Sequence, residues 1–373
     1  MASLAATPLP ETARNPLTIT VERNRDRVAL LWKSLEQRIG NGSLATSWVW
    51  TSTWLAAYGD AIDHWFVIAM TGGLPVGMAL LTRGVNQRRG PLPVRSIHIG
   101  TAGESPGEGV WIEYNRLLVE PEHRAAFLDI LTSAPGCRWG TADVLQLDGF
   151  DPDELGEATR AIATIQERTC YIAAIDPQTD PIDSFDRETR RKLRNTLRRF
   201  TAEFGPVAVE WIDDPHRAEA VFAELIVLHQ ERWVTAGEPG AFASVRFRAF
   251  HDQLIRRLVS EQGVVLVRIT AGTQLIGIFY GLVERDVIFH YQWGLTAFAD
   301  NRLAPGFITG YLVLDEARRR GYREFNWLAG DHRYKKDLST GARSLIWAEI
   351  PLSPWMRTIS GLVVARRTLR GLL

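Results

Sequence analysis

An α/β (α+β) fold of two modules, each a mixed, mostly antiparallel sheet flanked by helices, is the class predicted for this chain. Three observations predict it. A proline- and aspartate-rich connector, Ala174–Asp183, breaks the chain near its middle. The same coarse order of helices, antiparallel meander, crossover helix and further strands stands on both sides of that break, without a residue-level repeat. The stretch Val287–Lys336 reads as a buried strand, a polar turn, a helix opening on Pro305 and Gly306, a second strand and a short polar segment.

A length of 373 residues suits two domains, and a 46% hydrophobic fraction gives each a core. Lys plus Arg and Asp plus Glu both total 43, so no global field draws the chain to nucleic acid or membrane. Cys137 and Cys170 are too few for a disulfide framework or a zinc quartet, so no metal is expected. The N-terminus lacks the charged and apolar regions of a signal peptide, and no stretch reaches the roughly 18 apolar residues of a membrane span. The expected location is cytoplasmic.

Residues 1–16 are small, polar and proline-containing, and read as a disordered extension. A first domain over 17–175 begins with strand Leu17–Val21 and helices Asn24–Arg38 and Thr46–Tyr58. Hairpin Trp65–Met70 and Pro75–Thr82 follows, then strands Arg95–Gly100 and Val110–Tyr114. Helix Pro121–Thr132, strand Ala142–Leu147, helix Pro152–Thr164 and strand Thr169–Ile175 complete it. A second domain over 176–352 opens on a long helix with Leu193, Leu197, Phe200 and Phe204 on one stripe and arginines elsewhere. Strand Val207–Ile212, helices Pro215–Val234 and Val245–Ser260, and hairpin Val264–Thr270 with Gln274–Val283 lead to the Val287–Lys336 unit; Ser344–Ile350 is the last strand. Residues 353–373 read as a basic amphipathic helix able to pack on the second domain or touch an anionic membrane or a synthase complex.

The start of the Pro305 helix is a natural anion site, because first-turn amides lack helical partners and the helix dipole is positive there. Pro305 suits the first helical position and Gly306 permits close approach to the backbone. An ordinary crossover helix fits the same spacing. On the preceding strand Tyr291 and Trp293 alternate with His290 and Gln292. The Ala329–Lys336 segment offers Asp331, Tyr334 and Lys335 directly after a strand. Glu113, Tyr114 and Asn115 end an apolar run in the first domain; a solvent-facing strand end fits them equally. Glu231, Trp233 and His251 flank a Gly237–Gly240 turn that either folds polar groups into a cleft or joins two core helices. The arginines of Arg187–Arg199 read as a solvated face, since no aromatic residues interleave for base stacking.

Taken in order, Glu231–Ala243, Phe247–Ile255, Leu275–Gly281, His290–Gly294, Leu303–Phe307, Phe325–Leu338 and Ser344–Trp347 resemble the GNAT-type acyltransferase domain of a branch associated with bacterial cellulose and exopolysaccharide synthesis. Ser47–Asp60, Thr101–Asn115 and the basic helix resemble its companion N-terminal half, so the resemblance spans about Leu17 to Pro351. It implies tandem GNAT-like modules, as in FemAB-type aminoacyl transferases, with acyl-CoA (acetyl-CoA or longer) in the second. The diphosphate maps to the Asn301–Phe307 turn, where Arg302 and Gly306 are present but the full glycine signature is not. Tyr291, Gln292, Trp293, Arg302, Pro305, Gly306 and Asn326 are the implied donor-binding residues; family members often carry aspartate at the last. Tyr334 maps to the tyrosine that protonates the leaving thiolate. For the general base His251, Glu113 and Glu231 stay open. Glu113, Tyr114, Asn115, Trp233, Asp331 and Lys335 are assigned to an acceptor, a small molecule or saccharide with an amine or hydroxyl. An aminoacyl-tRNA-dependent transferase and a non-catalytic accessory of polysaccharide synthesis are the alternatives.

Overall fold

The computed structural model describes residues 17–40, 43–85, 87–110, 113–133 and 141–361. The expected extension 1–16 and the end of the expected C-terminal helix, 362–373, lie outside these residues; 354–361 are helical.

Strand β1 (Thr18–Glu22) leads to helices α1 (Arg25–Ile39) and α2 (Trp48–Tyr58), then to the hairpin β2 (His64–Thr71) and β3 (Leu74–Arg83). A small hairpin, β4 (Gln87–Arg89) with β5 (Leu92–Val94), precedes β6 (Ser96–Ile99), β7 (Leu118–Val119), α3 (Arg124–Ser133), β8 (Val144–Phe150), α4 (Glu157–Ile162) and β9 (Thr164–Ala174). The second half runs α5 (Arg187–Phe204), β10 (Val207–Ile212), α6 (Pro215–Thr235), α7 (Val245–Leu258), β11 (Val264–Ala271), β12 (Gln274–Glu284), β13 (Val287–Leu295), α8 (Pro305–Arg319), β14 (Glu324–Ala329), α9 (Arg333–Asp337) and β15 (Gly341–Pro351). Short polar residues start α1, α5, α6 and α7: Asn24, Asp186, Asp214 and Ser244 each accept an amide three residues on.

The expected α/β class with mostly antiparallel strands is what the chain forms. One 13-stranded sheet has the order β1-β2-β3-β6-β8-β15-β9-β14-β13-β12-β11-β10, with β7 beside β3. Between named strands only β6–β8 and β13–β14 are parallel. The order is the same read from either end, with one exchange at the middle. The last strand of each half lies against the other half: β9 pairs with β14, and β15 pairs with β8. A division of the chain at residue 175 therefore does not divide the sheet.

One face of the sheet carries a core common to both halves, in which α1, α2, α6 and α7 bury Trp50, Trp54, Phe222, Phe242 and Phe250. The Trp50 and Phe250 rings meet edge to face across the halves at 4.8 Å. On the other face each half has its own core, under α3 in the first and under α5 and α8 in the second.

Two local expectations are corrected. Within Val110–Tyr114 the described residues form no strand, because Tyr114 takes a left-handed conformation (φ 62°) and the segment bends. The helix expected over Pro152–Thr164 is short, as the chain after Pro152 stays extended at Leu155 and Gly156 before α4, and β9 starts already at Thr164.

Candidate functional site

Strands β13 and β14 run parallel only from Val287–Phe289 beside Glu324–Asn326. Beyond that they part. β14 bends at Leu328 (φ 59°), held by the Asn326 side chain, which accepts the Leu328 amide at 2.9 Å and donates to the Tyr114 hydroxyl at 2.7 Å. A cavity of about 480 Å³ opens at the parting. Tyr291 and Gln292 line it from β13, Leu328 and Ala329 from β14, Tyr334 and Lys335 from α9, and Glu113, Gly107 and Gly109 from the first half. His229 and Trp233 reach it from α6, with the Gly237–Gly240 turn behind them. Only glycine fits at Gly240: φ is 71°, and a Cβ would stand 2.5 Å from the Gln230 side chain.

The backbone of Ala329 is gripped on both sides. Glu113 accepts its N–H at 2.6 Å, and Lys335 donates from Nζ to its carbonyl at 2.7 Å. Burial pushes the Glu113 carboxyl up, against the pull of the Ala329 amide and Lys335, and burial pushes the Lys335 ammonium down. Burial also raises the Tyr334 phenol, so it keeps its proton at neutral pH.

Six of the residues expected at the site meet in this cavity: Tyr291, Gln292, Tyr334, Glu113, Trp233 and Lys335. Others do not. His251 is sealed in the shared core between Phe247, Phe250 and Tyr280, with burial driving its pKa down to about 3. It cannot serve as the expected base, because no substrate reaches it. Glu231 is exposed on α6 and does not line the cavity. Asp331 is exposed, Tyr114 and Asn326 hold the β14 bend, and buried Asn115 donates to the Ile99 carbonyl at 2.9 Å.

The turn before α8 is set apart from the cavity. The Trp293 ring packs on Tyr334 at 4.7 Å, and its far edge lies 3.5 Å from where a Gly306 Cβ would be. An indole, rather than open space, fills the way from the cavity to that turn. Phe307 and Ile308 turn their amides back to the Ala304 carbonyl, leaving the Gly306 amide as the outward donor at Pro305–Gly306. Asp300 takes the Arg302 amide at 2.9 Å and its guanidinium at 2.8 Å, which holds the carboxyl down at about 2. The expected diphosphate turn thus already carries a carboxylate on its arginine.

Sequence reasoning missed His290 as a site residue. It is 8% exposed, lines the cavity, and its Nε2 has no hydrogen-bond partner. Strand alternation placed it opposite Tyr291, but only the parting of β13 from β14 brings that face to the cavity.

Residues 187–336 match the family model of an acetyltransferase (GNAT) domain. The matched segment, under half of the chain, runs from α5 into α9. A search of curated proteins finds no match. Among solved structures the chain is similar to FemX (TM-score 0.56, 14% identity, 92% of this chain and 100% of that one). It is also similar to L-PGS from Bacillus licheniformis (TM-score 0.53, 8% identity, 92% and 96%). At these identities the likeness is one of fold, and it extends over both halves. No helix among the described residues is long and apolar enough to cross a membrane.

Proposed function

We propose that this chain is an acyl-CoA-dependent acyltransferase acting on the amine or hydroxyl of a small molecule or saccharide, with transfer in the cavity between its halves. The observation that carries the reading is the parting of β13 and β14 inside the segment that matches the GNAT model, with a tyrosine and a carboxylate on its walls. Beyond Phe289 the β14-facing edge of β13 has no partner strand, so its amides can polarise a thioester carbonyl. Tyr334 holds a proton for the departing thiolate, a modest task because thiols have a pKa near 8.5. With His251 and Glu231 removed, Glu113 is the base: its raised pKa suits it to take the acceptor's proton. Lys335 fixes the Ala329 peptide opposite Glu113. The acceptor enters between Gly107–Gly109 and the Gly237–Gly240 turn.

One observation favours a second reading. Asp300 on Arg302 and Trp293 beside Gly306 disfavour a diphosphate, whereas an aminoacyl ester on tRNA needs no such cradle. The arginines of α5 would then bind the nucleic acid. Binding of tRNA that falls steeply with salt supports that donor. Saturable calorimetric binding of acetyl-CoA, insensitive to added tRNA, supports acyl-CoA. A protein that binds neither is an accessory rather than a transferase.

A further inference from the structure

The first half repeats the parting of strands on which the donor site rests. β6 and β8 run parallel only at Ser96–His98 beside Val144–Gln146, the counterpart of β13 and β14 in the sheet order. Beyond them lies a second cavity of about 250 Å³. Its polar wall differs in kind from the first. His98 holds Asp148 through Nδ1 at 2.7 Å, and Glu104 stands close by, taking the Trp54 indole N–H at 2.6 Å. No described lysine or arginine lines it. Arg83 and Arg246 border a separate groove on Glu104 and are paired with Asp63 at 3.5 Å and Asp60 at 2.6 Å. Two carboxylates without a cation repel phosphate, so this is not a second site for a nucleotide-bearing donor. Gly107 and Gly109 line both cavities, so the two adjoin along this segment.

We propose that the His98–Asp148–Glu104 cavity anchors the acceptor by a protonated amine, and that the acceptor runs past Gly107–Gly109 to present its nucleophile at Glu113. The acceptor is then bifunctional, an ammonium at one end and an amine or hydroxyl at the other. An aliphatic diamine is the simplest member of that class. Burial raises the Glu104 carboxyl to about 7, against the Trp54 hydrogen bond, and an entering ammonium offsets that cost by supplying the missing countercharge. The assignment of the nucleophile's end rests on the acyl-transfer reading; the anchoring site does not.

The test is calorimetry on the full chain without acyl donor. 1,4-Diaminobutane should bind saturably, and 1,4-butanediol and glutarate roughly tenfold or more weaker, since removing one partner of a buried charged contact is costly. Asp148→Asn and Glu104→Gln should each weaken the diamine by about the same factor, the glutamine still accepting from Trp54. Glutarate binding as tightly as the diamine overturns the proposal without recourse to variants, as does a diamine affinity unchanged in both. Acetyl-CoA is titrated in parallel. Diamine binding without donor binding leaves the anchor and removes the acyl-CoA reading; donor binding without diamine binding does the reverse.

Discussion

In the proposed mechanism Glu113 and Tyr334 carry opposite halves of one proton balance, and each has a variant that isolates it. Glu113→Gln keeps an oxygen for the Ala329 amide but cannot take a proton. Its turnover should fall by about 10²–10⁴ with little change in acceptor KM, as for loss of a general base. A change in KM alone would assign Glu113 to binding. Tyr334→Phe removes the acid but keeps the ring on Trp293, and because the thiolate leaves readily the loss should be smaller, on the order of tenfold. Single-turnover rates with thioesters of different thiol pKa check this: the deficit should shrink as the leaving thiol becomes more acidic.

Asp143 shows the same logic applied to stability. It accepts from the Arg95 amide and guanidinium and from the Trp355 indole, tying the starts of β6 and β8 to the chain beyond β15. Burial alone would raise its pKa; these donors outweigh it and bring the group down to about 2, from an ordinary 3.8. A lowered pKa contributes stability that is full above the unfolded value and lost as pH falls through the folded one. The shift corresponds to about 2 kcal/mol. Asp143→Asn should therefore unfold at lower urea at pH 7, and the gap from the parent protein should close between about pH 4 and pH 2.

At the scale of elements, the proposed donor site makes the turn before α8 a test of donor affinity. Asp300 holds Arg302 and adds a negative charge to the segment leading into α8. Asp300→Asn removes that charge and frees the guanidinium, so acetyl-CoA should bind more tightly, by about threefold to tenfold, and more so at low salt. Unchanged affinity would mean the diphosphate lies elsewhere. Most elements were legible beforehand because their signals are local. Apolar spacing gave α1, α5 and α7, Gly-containing turns gave the β2–β3 and β11–β12 hairpins, and Pro305 marked α8. The candidate site was legible where residues follow a strand end, as Tyr334 and Lys335 do after β14. It was not where a side chain's fate depends on distant packing. His251 has an ordinary histidine's sequence context but lies under Phe247 and Phe250, and Trp293 fills a passage that strand alternation cannot describe.

For the whole molecule, the exchange of β9 and β15 makes the halves interdependent. No pattern near Gly341–Pro351 says that it joins β8 and β9, because pairing between strands so far apart in sequence leaves no local trace. The shared core of α1, α2, α6 and α7 adds a second tie. Urea unfolding followed by fluorescence and by circular dichroism should give one coincident transition, and a chain ending at residue 340 should lose structure in both halves. Two separated transitions would show that the exchange does not couple them. The same arrangement brings Glu113 of one half onto the Ala329 peptide of the other, which is how a cavity with groups from both comes to exist.

The most direct measurement of the central claim is calorimetric titration of the purified chain with acetyl-CoA and longer acyl-CoAs, followed by thiol release on adding an amine acceptor. Saturable binding, and thiol release that drops in Glu113→Gln while binding persists, is the predicted result. No binding of any acyl-CoA at millimolar concentration, with Asp300→Asn no better, would contradict it.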